Sequence, residues 1–331
     1  MIASGENEMK KKIRVGILTS GGDAPGMNAC VRAVVRGCLY KGMEVFGIYQ
    51  GYHGLINDDI QQLNISSVAD IIHRGGTILR TARSHSFKTE EGRQKAFENL
   101  KKHGISALVV IGGDGTMTGG MYLSKETGIK VYGLPGTIDN DLGYTDTTIG
   151  FDTAVNTAVA AVGNIRDTSS SMGRTTVIEV MGRACGDIAL YAGLAGGAED
   201  ILIPEQAYDI DKIANEIKAG VARGKLHSII LKAEGVSLST QALAEFLELT
   251  TGCETKTVLL GYIQRGGSPT ARDRVLASRM GIKAAELIEA GAESSAIGIH
   301  GDDIISMPIE EALKIKKKSH TDFIEICNAL L

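Results

Sequence analysis

Residues 131–141 read VYGLPGTIDND, a stretch that joins a short apolar run to a loop carrying two carboxylates two positions apart. The run at residues 131–134 is partly β-branched or aromatic and stops at a Pro-Gly pair, which predicts a buried strand with an abrupt end. Asp139 and Asp141 therefore follow a strand end, where open α/β sheets bind their ligands. The loop is interpreted either as a reaction centre or as a plain turn in which Asp and Asn bond their own backbone.

Two earlier stretches repeat this pattern of an apolar run followed by a glycine-rich loop. Residues 13–19 predict a strand, and the loop SGGDAPGMN leads from it into a helix predicted at residues 29–40. The apolar run ALVVI at residues 107–111 predicts a strand covered on both faces, and GGDGT follows it. Because right-handed crossovers put the ends of parallel strands on one side, the three loops are expected to meet at one sheet edge.

The composition of these loops is typical of a phosphate site. Glycines such as Gly22 and Gly113 let the backbone approach phosphate oxygens, as at the start of many helices. Asp114 supplies a hard oxygen ligand of the kind that Mg²⁺ prefers when it bridges phosphates. The first loop is neither a Walker loop nor a G-x-G-x-x-G motif. The loops alone thus predict a phosphate-handling protein without identifying its ligand.

Arginines also recur in loops near predicted strand ends. Arg83 lies in the stretch RGGTILRTARS, Arg183 follows a strand predicted at residues 175–181, and Arg265 follows a strand predicted at residues 256–263. Arginine is the preferred side chain for bidentate contact with phosphate. A surface loop without a ligand is the alternative interpretation of the arginines in RGGTILRTARS.

The second half of the chain alternates helices and strands like the first. A helix is predicted at residues 152–166, ended by the polar stretch DTSSSMGR, and a further strand is predicted at residues 227–233. No low-complexity linker separates the halves. The sequence therefore predicts an α/β protein with two successive α/β units.

Charge and composition narrow the function classes. The net charge of −4 offers no basic field for a nucleic acid or an acidic membrane surface, so neither is an expected partner. No apolar run reaches the length of a membrane span. The five cysteines are scattered, with no paired C-x-x-C spacing, which favours a reducing, cytoplasmic location.

The motifs taken together closely resemble those of the bacterial type of ATP-dependent 6-phosphofructokinases. The match runs from residue 13 to about residue 290 and rests on TSGGDAPGMN, RGGT, GGDGT, PGTIDND, TIGFDTA, RDTSSS, VMGR, CGD, AGG, EIKAG and IQRGGSP, in that order. The resemblance implies transfer of the ATP γ-phosphoryl group, with Mg²⁺, to the 1-hydroxyl of fructose 6-phosphate. The product would be fructose 1,6-bisphosphate, at the committed step of glycolysis.

The same resemblance implies an architecture. Two doubly wound α/β (Rossmann-like) domains would enclose the active site in the cleft between them. The larger, ATP-binding domain would comprise residues 1–149 and 263–313, and the smaller, sugar-phosphate-binding domain residues 150–262 and 314–331. A homotetramer is implied, in which substrate and effector sites borrow residues from neighbouring subunits.

Roles for individual residues follow from the resemblance as well. Asp139 would take the proton from the sugar hydroxyl, Thr137 would face the sugar, and Arg183 would neutralise charge on the transferred group. The positions matching the ATP site are Gly22, Arg83, Ser84, Gly113, Asp114, Gly115 and Thr116, with Asp114 as the Mg²⁺ ligand. The positions matching the sugar-phosphate site are Thr137, Ile138, Asp139, Arg174, Met181, Gly182, Arg183, Glu234, Lys256, Tyr262 and Arg265, of which Arg174 would reach in from an adjacent subunit. The positions matching an effector site for ADP or phosphoenolpyruvate are Arg32, Arg36, Arg166, Gly197, Glu199, Arg223, Lys225 and His227.

Three positions depart from the pattern usual in this family. Lys256 stands where a second intersubunit arginine is usual, and a lysine keeps the charge but loses the bidentate fork. Tyr262 stands where histidine is usual. Ile65 stands at an arginine position of the effector site, so altered or blunted regulation is expected.

Two glycines bear on the phosphoryl donor. Pyrophosphate-using relatives typically carry an acid at the place of Gly115 and a lysine at the place of Gly136. An acidic side chain would repel the α-phosphate of a nucleotide, whereas a lysine would suit bare pyrophosphate. The two glycines therefore favour ATP.

Two other functions share parts of this pattern. A NAD or lipid kinase would carry GGDGT at a strand end, but those families lack the combination of TIDND, MGR and IQRGG found here. A catalytically silent nucleotide sensor on the same fold would have no need to retain Asp114, Asp139 and Arg183 together.

Overall fold

The computed structural model describes residues 12–330, which form eleven strands and eleven α-helices numbered here in chain order. The strands are β1 (Arg14–Thr19), β2 (Glu44–Ile48), β3 (Ile60–Leu63), β4 (Ala107–Gly112), β5 (Lys130–Pro135), β6 (Thr175–Val180), β7 (Asp200–Leu202), β8 (Ser228–Ala233), β9 (Thr255–Leu259), β10 (Ser295–His300) and β11 (Asp303–Pro308). The helices are α1 (Met27–Tyr40), α2 (Gly51–Ile56), α3 (Glu90–Lys102), α4 (Asp114–Thr127), α5 (Phe151–Met172), α6 (Asp187–Gly196), α7 (Ile210–Ala222), α8 (Thr240–Thr251), α9 (Ala271–Glu289), α10 (Ile309–Ala312) and α11 (Asp322–Ala329). Within residues 12–330, no helix is both long enough and apolar enough to cross a membrane.

The larger sheet has seven strands in the order β11-β10-β5-β4-β1-β2-β3. Its five inner strands are parallel, while β3 and β11 pair antiparallel at the two edges. All six residues of β4 are buried, because helices cover both faces of the sheet. This confirms the interpretation of the ALVVI run as a doubly covered strand.

The carboxyl ends of β1, β4 and β5 lie side by side, as the three glycine-rich loops predict. The backbone N–H of Ser20 donates to Ile111 O at 3.0 Å, and that of Gly136 donates to Gly112 O at 3.1 Å. A Cβ atom added to Gly112 would lie 2.4 Å from the backbone oxygen of Ser20. Only glycine therefore lets the first loop pass this close to the second.

The smaller sheet has four parallel strands in the order β7-β8-β6-β9. Glu179 of β6 and Lys232 of β8 are partners in the strand register. Their side chains form an ion pair at 3.1 Å, and the lysine side chain is only 2% exposed. The Glu179 carboxylate also accepts a hydrogen bond from Thr240. A buried charge is tolerated only when it is paired, so a shift in the register of β6 against β8 would be costly. The pair lies one residue before the carboxyl end of each strand.

A buried carboxylate joins the segments that lie beside the two sheets. Asp273, near the start of α9, is 1% exposed. It accepts hydrogen bonds from the backbone of Gly150 at 2.9 Å and from the backbone and hydroxyl of Thr153 at 2.9 and 2.5 Å. These groups belong to the first turn of α5, whose unpaired N–H groups a carboxylate satisfies well. Helix α9 also packs along α1 of the larger sheet.

The two sheets confirm the predicted class of two α/β units. Strands of the larger sheet come from residues 14–135 and 295–308, and those of the smaller sheet from residues 175–259. The exact boundaries at residues 149, 262 and 313 stay a prediction.

Two predicted element ends are wrong. Helix α5 continues through the polar stretch to Met172 and ends at Gly173, which has φ 65°. Ser171 bonds back to Asp167 O at 2.8 Å, so the serines are compatible with the helix rather than stopping it. Strand β9 ends at Leu259 and is followed by a 3₁₀ turn at Gly261–Arg265, since Gly261 adopts a left-handed φ of 52°. Tyr262 and Arg265 thus lie on a turn.

Candidate active site

A cleft of about 690 Å³ opens at the edge where β1, β4 and β5 end. Its lining includes twelve of the residues predicted from the sequence: Gly22, Arg83, Ser84, Gly113, Asp114, Gly115, Thr116, Thr137, Ile138, Asp139, Arg183 and Arg265. An adjoining recess of about 430 Å³ shares several of them and adds Tyr262. Loops distant in sequence, one from the smaller sheet, thus contribute to one site.

Asp139 is buried in the wall of this cleft, with 3% exposure. Its backbone N–H donates to the hydroxyl of Thr137 at 3.2 Å, which orders the loop that presents the carboxylate. One carboxylate oxygen forms an ion pair with the Arg183 guanidinium at 3.2 Å, and the other is buried without a hydrogen-bond partner among the described residues. A buried carboxylate oxygen without a hydrogen-bond partner is suited to accept a proton from a substrate hydroxyl.

The pKa of Asp139 is raised to about 6. Burial is the largest cause, because it disfavours the charged form, and the neighbouring Asp141 carboxylate adds to it. The guanidinium groups of Arg183 and Arg265 oppose the rise, while Glu234 contributes slightly to it. A base whose pKa lies just below neutral pH is both ionised in the cell and a good proton acceptor.

The start of α4 forms the phosphate side of the cleft. Asp114 is the first residue of this helix, whose N-terminal N–H groups favour an anion. Thr116 donates its hydroxyl to Ser20 O at 3.1 Å, which holds the helix against the first loop. A Cβ atom on Gly115 would meet nothing within 4 Å, because this glycine borders open space.

Part of the cleft lining comes from residues that the sequence motifs did not indicate. Tyr52 and Phe87 stack with ring centroids 3.8 Å apart, and Tyr52 donates to Thr116 O at 2.7 Å. Arg93 lies 5.3 Å from the centre of the Tyr122 ring and forms a bidentate pair with Glu126. These aromatic residues are scattered along the chain, so no local pattern could identify them.

The loop after β6 has an unusual backbone that Glu234 holds in place. Gly182 and Arg183 both have positive φ, at 134° and 53°. Their N–H groups donate to one oxygen of the Glu234 carboxylate at 3.2 and 2.8 Å. Gln264, fully buried, accepts a hydrogen bond from the N–H of Met181 at 3.3 Å. Glu234 therefore holds the backbone of Gly182 and Arg183. Met181, Gly182 and Glu234 are not among the residues that line the cleft, and their predicted contacts with the sugar phosphate stay predictions.

Two further predicted sugar-phosphate residues, Arg174 and Lys256, also lie outside the cleft of this single chain. Lys256 forms an ion pair with Glu254 at 2.8 Å. Arg174 follows the end of α5 and donates weakly to Thr168 at 3.5 Å. For Arg174, the resemblance implies a place in a neighbouring subunit, and both roles stay predictions.

Six of the predicted effector residues cluster beside the smaller sheet. Arg166 donates to Gly196 O at 2.9 Å and to Gly197 O, and lies 3.4 Å from the ring of His227. Glu199 pairs with Lys225 at 2.9 Å and with Arg166 at 3.6 Å. Glu199, Arg223 and Lys225 line a cavity of about 410 Å³. Arg32 and Arg36 lie on α1 and do not line this cavity.

The donor atoms in the main cleft fit a magnesium ion shared with phosphates. Asp114 and Asp141 both line the cleft, and one Asp141 oxygen is buried without a hydrogen-bond partner among the described residues. Burial raises the pKa of Asp141, and the nearby Asp114 carboxylate contributes to the rise. Within residues 12–330 there is no cluster of three His, Cys, Asp or Glu side chains able to hold a metal alone. Mg²⁺ typically needs only one or two carboxylates when phosphates and water supply its other ligands.

Comparison with known proteins yields one family. The family model described as Phosphofructokinase matches residues 14–288. An ATP-dependent 6-phosphofructokinase of Alkaliphilus metalliredigens is 57% identical over 316 residues, which cover 96% of this chain and 98% of that protein. A protein of the same name from Clostridium botulinum (strain Loch Maree) is 55% identical with the same coverage.

Solved structures show the same architecture. A phosphofructokinase from Saccharomyces cerevisiae superposes with a TM-score of 0.88 at 36% identity, covering 96% of this chain and 47% of the longer yeast chain. A pyrophosphate-dependent phosphofructokinase from Marinobacter aquaeolei superposes with a TM-score of 0.84, but at 23% identity it supports the fold alone. The family match, the near full-length identity and the shared fold agree with the geometry of the cleft, and the chain belongs to the phosphofructokinase family.

Proposed function

We propose that this protein transfers the γ-phosphoryl group of ATP to the 1-hydroxyl of fructose 6-phosphate and so acts as an ATP-dependent 6-phosphofructokinase. The observation that carries the proposal is the meeting of Asp139, Arg183 and Asp114 in one cleft. Each comes from a different strand end, so their meeting depends on the fold. The names of the close bacterial relatives support the same activity.

The chemistry assigns a distinct task to each residue. Asp139 accepts the proton of the sugar 1-hydroxyl as the oxygen attacks the γ-phosphorus in line, and ADP is the leaving group. Arg183 lies 3.2 Å from this base, and its positive charge neutralises the negative charge that builds on the transferred phosphoryl group. Phosphoryl transfer needs positioning and cations on spread negative charge more than covalent help, and these residues provide both.

Asp114 is proposed to hold Mg²⁺ together with phosphate oxygens, with Asp141 as a second carboxylate nearby. When bound, the ion neutralises charge on the β- and γ-phosphates. The N-terminal N–H groups of α4 and the glycines of the first two loops bind the phosphate oxygens.

We also propose an oligomeric state and a set of effectors for this protein. We expect a cytoplasmic homotetramer in which Arg174 and Lys256 act in a neighbouring subunit's sugar-phosphate site. ADP and phosphoenolpyruvate are the expected effectors of the cluster around Glu199. Ile65 is 58% exposed and offers no charge to a phosphate, so we expect regulation to be blunted. A strongly sigmoidal fructose 6-phosphate curve relieved by ADP would contradict this expectation.

An aldolase-coupled assay with ATP, Mg²⁺ and fructose 6-phosphate tests the proposed activity directly. Turnover should require all three components, and fructose 1,6-bisphosphate should accumulate when the coupling enzymes are omitted. Phosphorylation of NAD or of a lipid in place of the sugar would instead support a relative that shares only the GGDGT motif. Binding of ATP without turnover of any of these acceptors would indicate a silent sensor.

The pH dependence should report the raised pKa of Asp139. Because its carboxylate must be ionised to accept a proton, kcat/KM for fructose 6-phosphate should fall tenfold per pH unit below about 6. The variant Asp141→Asn removes a negative neighbour that raises this pKa, so the acid limb should move to lower pH. The ionisation of the sugar phosphate itself is the same for both enzymes. An acid limb at the same pH in both would assign it to the substrate instead of Asp139.

The variant Gly115→Asp should separate nucleotide binding from folding. Since a Cβ atom at Gly115 would meet no protein atom within 4 Å, the fold should tolerate a substitution there, yet the aspartate carboxylate would stand among the ATP phosphates. A like charge a few ångströms away costs a few kcal/mol, so KM for ATP should rise by about 10- to 100-fold. Gly115→Ser is the uncharged control and should stay close to wild type. Equal losses in both variants would show that space, not charge, excludes the side chain.

A further inference from the structure

Asn140, the residue between the two acids of the catalytic loop, is fully buried and has a left-handed φ of 53°. Its side-chain amide donates to Asp187 Oδ2 at 2.8 Å and lies 3.4 Å from the backbone oxygen of Asp146. Asparagine tolerates this backbone conformation better than most residues. Asp139 and Asp141 line the cleft, whereas the Asn140 side chain is engaged with Asp187.

Asp187 is itself fully buried and is the first residue of α6, four positions after Arg183. Besides the Asn140 amide, its carboxylate faces the ammonium group of Lys317, 3.6 Å away. Lys317 comes from the segment between α10 and α11, and its side chain is 14% exposed. A carboxylate this far from water is tolerated because an amide and a cation face it.

The three residues belong to three separate segments of the chain. Asn140 follows β5, Asp187 is the first residue of α6, and Lys317 lies between α10 and α11. Cys185 Sγ also lies 3.9 Å from the Asn140 backbone oxygen, so the Arg183 loop touches the catalytic loop at a second point. Through these contacts the segment that carries the base is bonded to the segment that carries the arginine.

We propose that Asn140, Asp187 and Lys317 are positioning residues, which hold Asp139 at the angle needed to take the proton from the sugar hydroxyl and keep it in register with Arg183. The inference rests on the proposed sugar-kinase activity. None of the three lines the main cleft formed by the described residues, so their effect must pass through the loop. A misplacement of about 1 Å at a reacting group can lower the rate about 100-fold.

The variant Asn140→Gly tests the amide while keeping the backbone conformation, because glycine adopts a left-handed φ freely. We expect kcat to fall about 100-fold, because a misplaced base stabilises the transition state less well. KM for ATP should change less than about threefold, because ATP binding is not affected. Asp70→Gly is the matched control, since Asp70 is exposed and has the same φ of 53°. The proposal fails if Asn140→Gly keeps kcat within about threefold of wild type, or if Asp70→Gly loses as much.

Reversing the polarity of the pair separates positioning from general destabilisation. Asn140→Asp places two buried carboxylates against each other and should lower kcat by about 100-fold or more. Adding Asp187→Asn restores an amide-to-carboxylate hydrogen bond with donor and acceptor exchanged. The double variant should recover at least about tenfold of the lost kcat, as expected for directly coupled residues. Multiplicative losses in the double variant would overturn the proposal.

A third variant remains informative if the buried ones do not fold. Lys317→Met keeps much of the side-chain length but removes the charge facing Asp187, and we expect kcat to fall about tenfold at an unchanged tetramer content. Lys314→Met is its control, because Lys314 is exposed and pairs with Glu310 of the adjacent turn. Equal kcat values for the two variants contradict the proposal. Failure of the wild-type enzyme to phosphorylate fructose 6-phosphate would instead contradict the proposed function, so the two failures are distinguishable.

Discussion

Replacing Asp139 by asparagine is expected to lower kcat by about two to four orders of magnitude, the range for loss of general acid–base help. The amide keeps the shape of the side chain but cannot accept the proton that leaves the sugar hydroxyl. KM for ATP should change little, because the phosphate-binding loops are untouched. Steady-state kinetics with saturating ATP and fructose 6-phosphate measure this effect, and turnover within tenfold of wild type would remove Asp139 from the role of base.

The same substitution should make the protein more stable at neutral pH. A carboxylate whose pKa rises from 3.8 to about 6 on folding destabilises the ionised native state, at a cost of about 3 kcal/mol. This cost is absent below the unfolded pKa of 3.8 and grows as the pH rises through 6. Asp139→Asn should therefore raise the free energy of unfolding by up to about 3 kcal/mol at pH 8 and by little near pH 4.

Urea unfolding of the two proteins at both pH values measures this difference. A loss of stability at pH 8 would show that the ion pair with Arg183 outweighs the cost of burial. A buried catalytic base is expected to lower the stability of the folded protein, because burial from water raises its pKa.

Arg183→Gln is expected to lower kcat about 100- to 1,000-fold, comparable to the loss of one preorganised donor to a developing negative charge. Two further effects follow from its contact with Asp139. The guanidinium lowers the pKa of Asp139, so its removal should shift the acid limb of kcat/KM to higher pH. KM for fructose 6-phosphate should also rise, because Arg183 lines the cleft in which the sugar phosphate is proposed to bind.

Arg183→Lys distinguishes charge from geometry in this role. The ammonium group keeps the positive charge but loses the planar fork, so we expect it to restore the position of the acid limb while recovering only part of kcat. Rates and pH profiles for the wild-type, Gln and Lys enzymes provide the comparison. If the glutamine variant retains most of kcat, Arg183 contributes to binding alone.

Much of the fold follows from local patterns. The ALVVI run and the run before Pro135 each predict a buried strand within one or two residues of its observed bounds. The Gly-rich loops predict that three strand ends converge, because parallel strands linked by right-handed crossovers share a direction. The polar stretch in α5 misled the prediction, since serines can bond back to the helix that carries them.

Some residues of the candidate site can be predicted from local sequence, and others cannot. Asp114 and Asp139 stand in recognisable loops, so a motif identifies them. Tyr52 and Phe87 form a stacked pair from distant segments, and nothing in either local sequence indicates the contact. Asn140 and Lys317 both reach Asp187, but all three come from distant parts of the sequence, so no local pattern indicates these contacts.

The bonding of Asp273 has a consequence for how the enzyme could move. Three donors from the first turn of α5 converge on one carboxylate of α9, next to Gly150 with its φ of 107°. Moving α5 away from α9 at this point would break all three buried hydrogen bonds, whereas a small rotation about Asp273 would preserve them. We therefore expect the cleft to open and close by a hinge rotation about Asp273. Displacements should be largest at the rim farthest from Asp273 and smallest beside it.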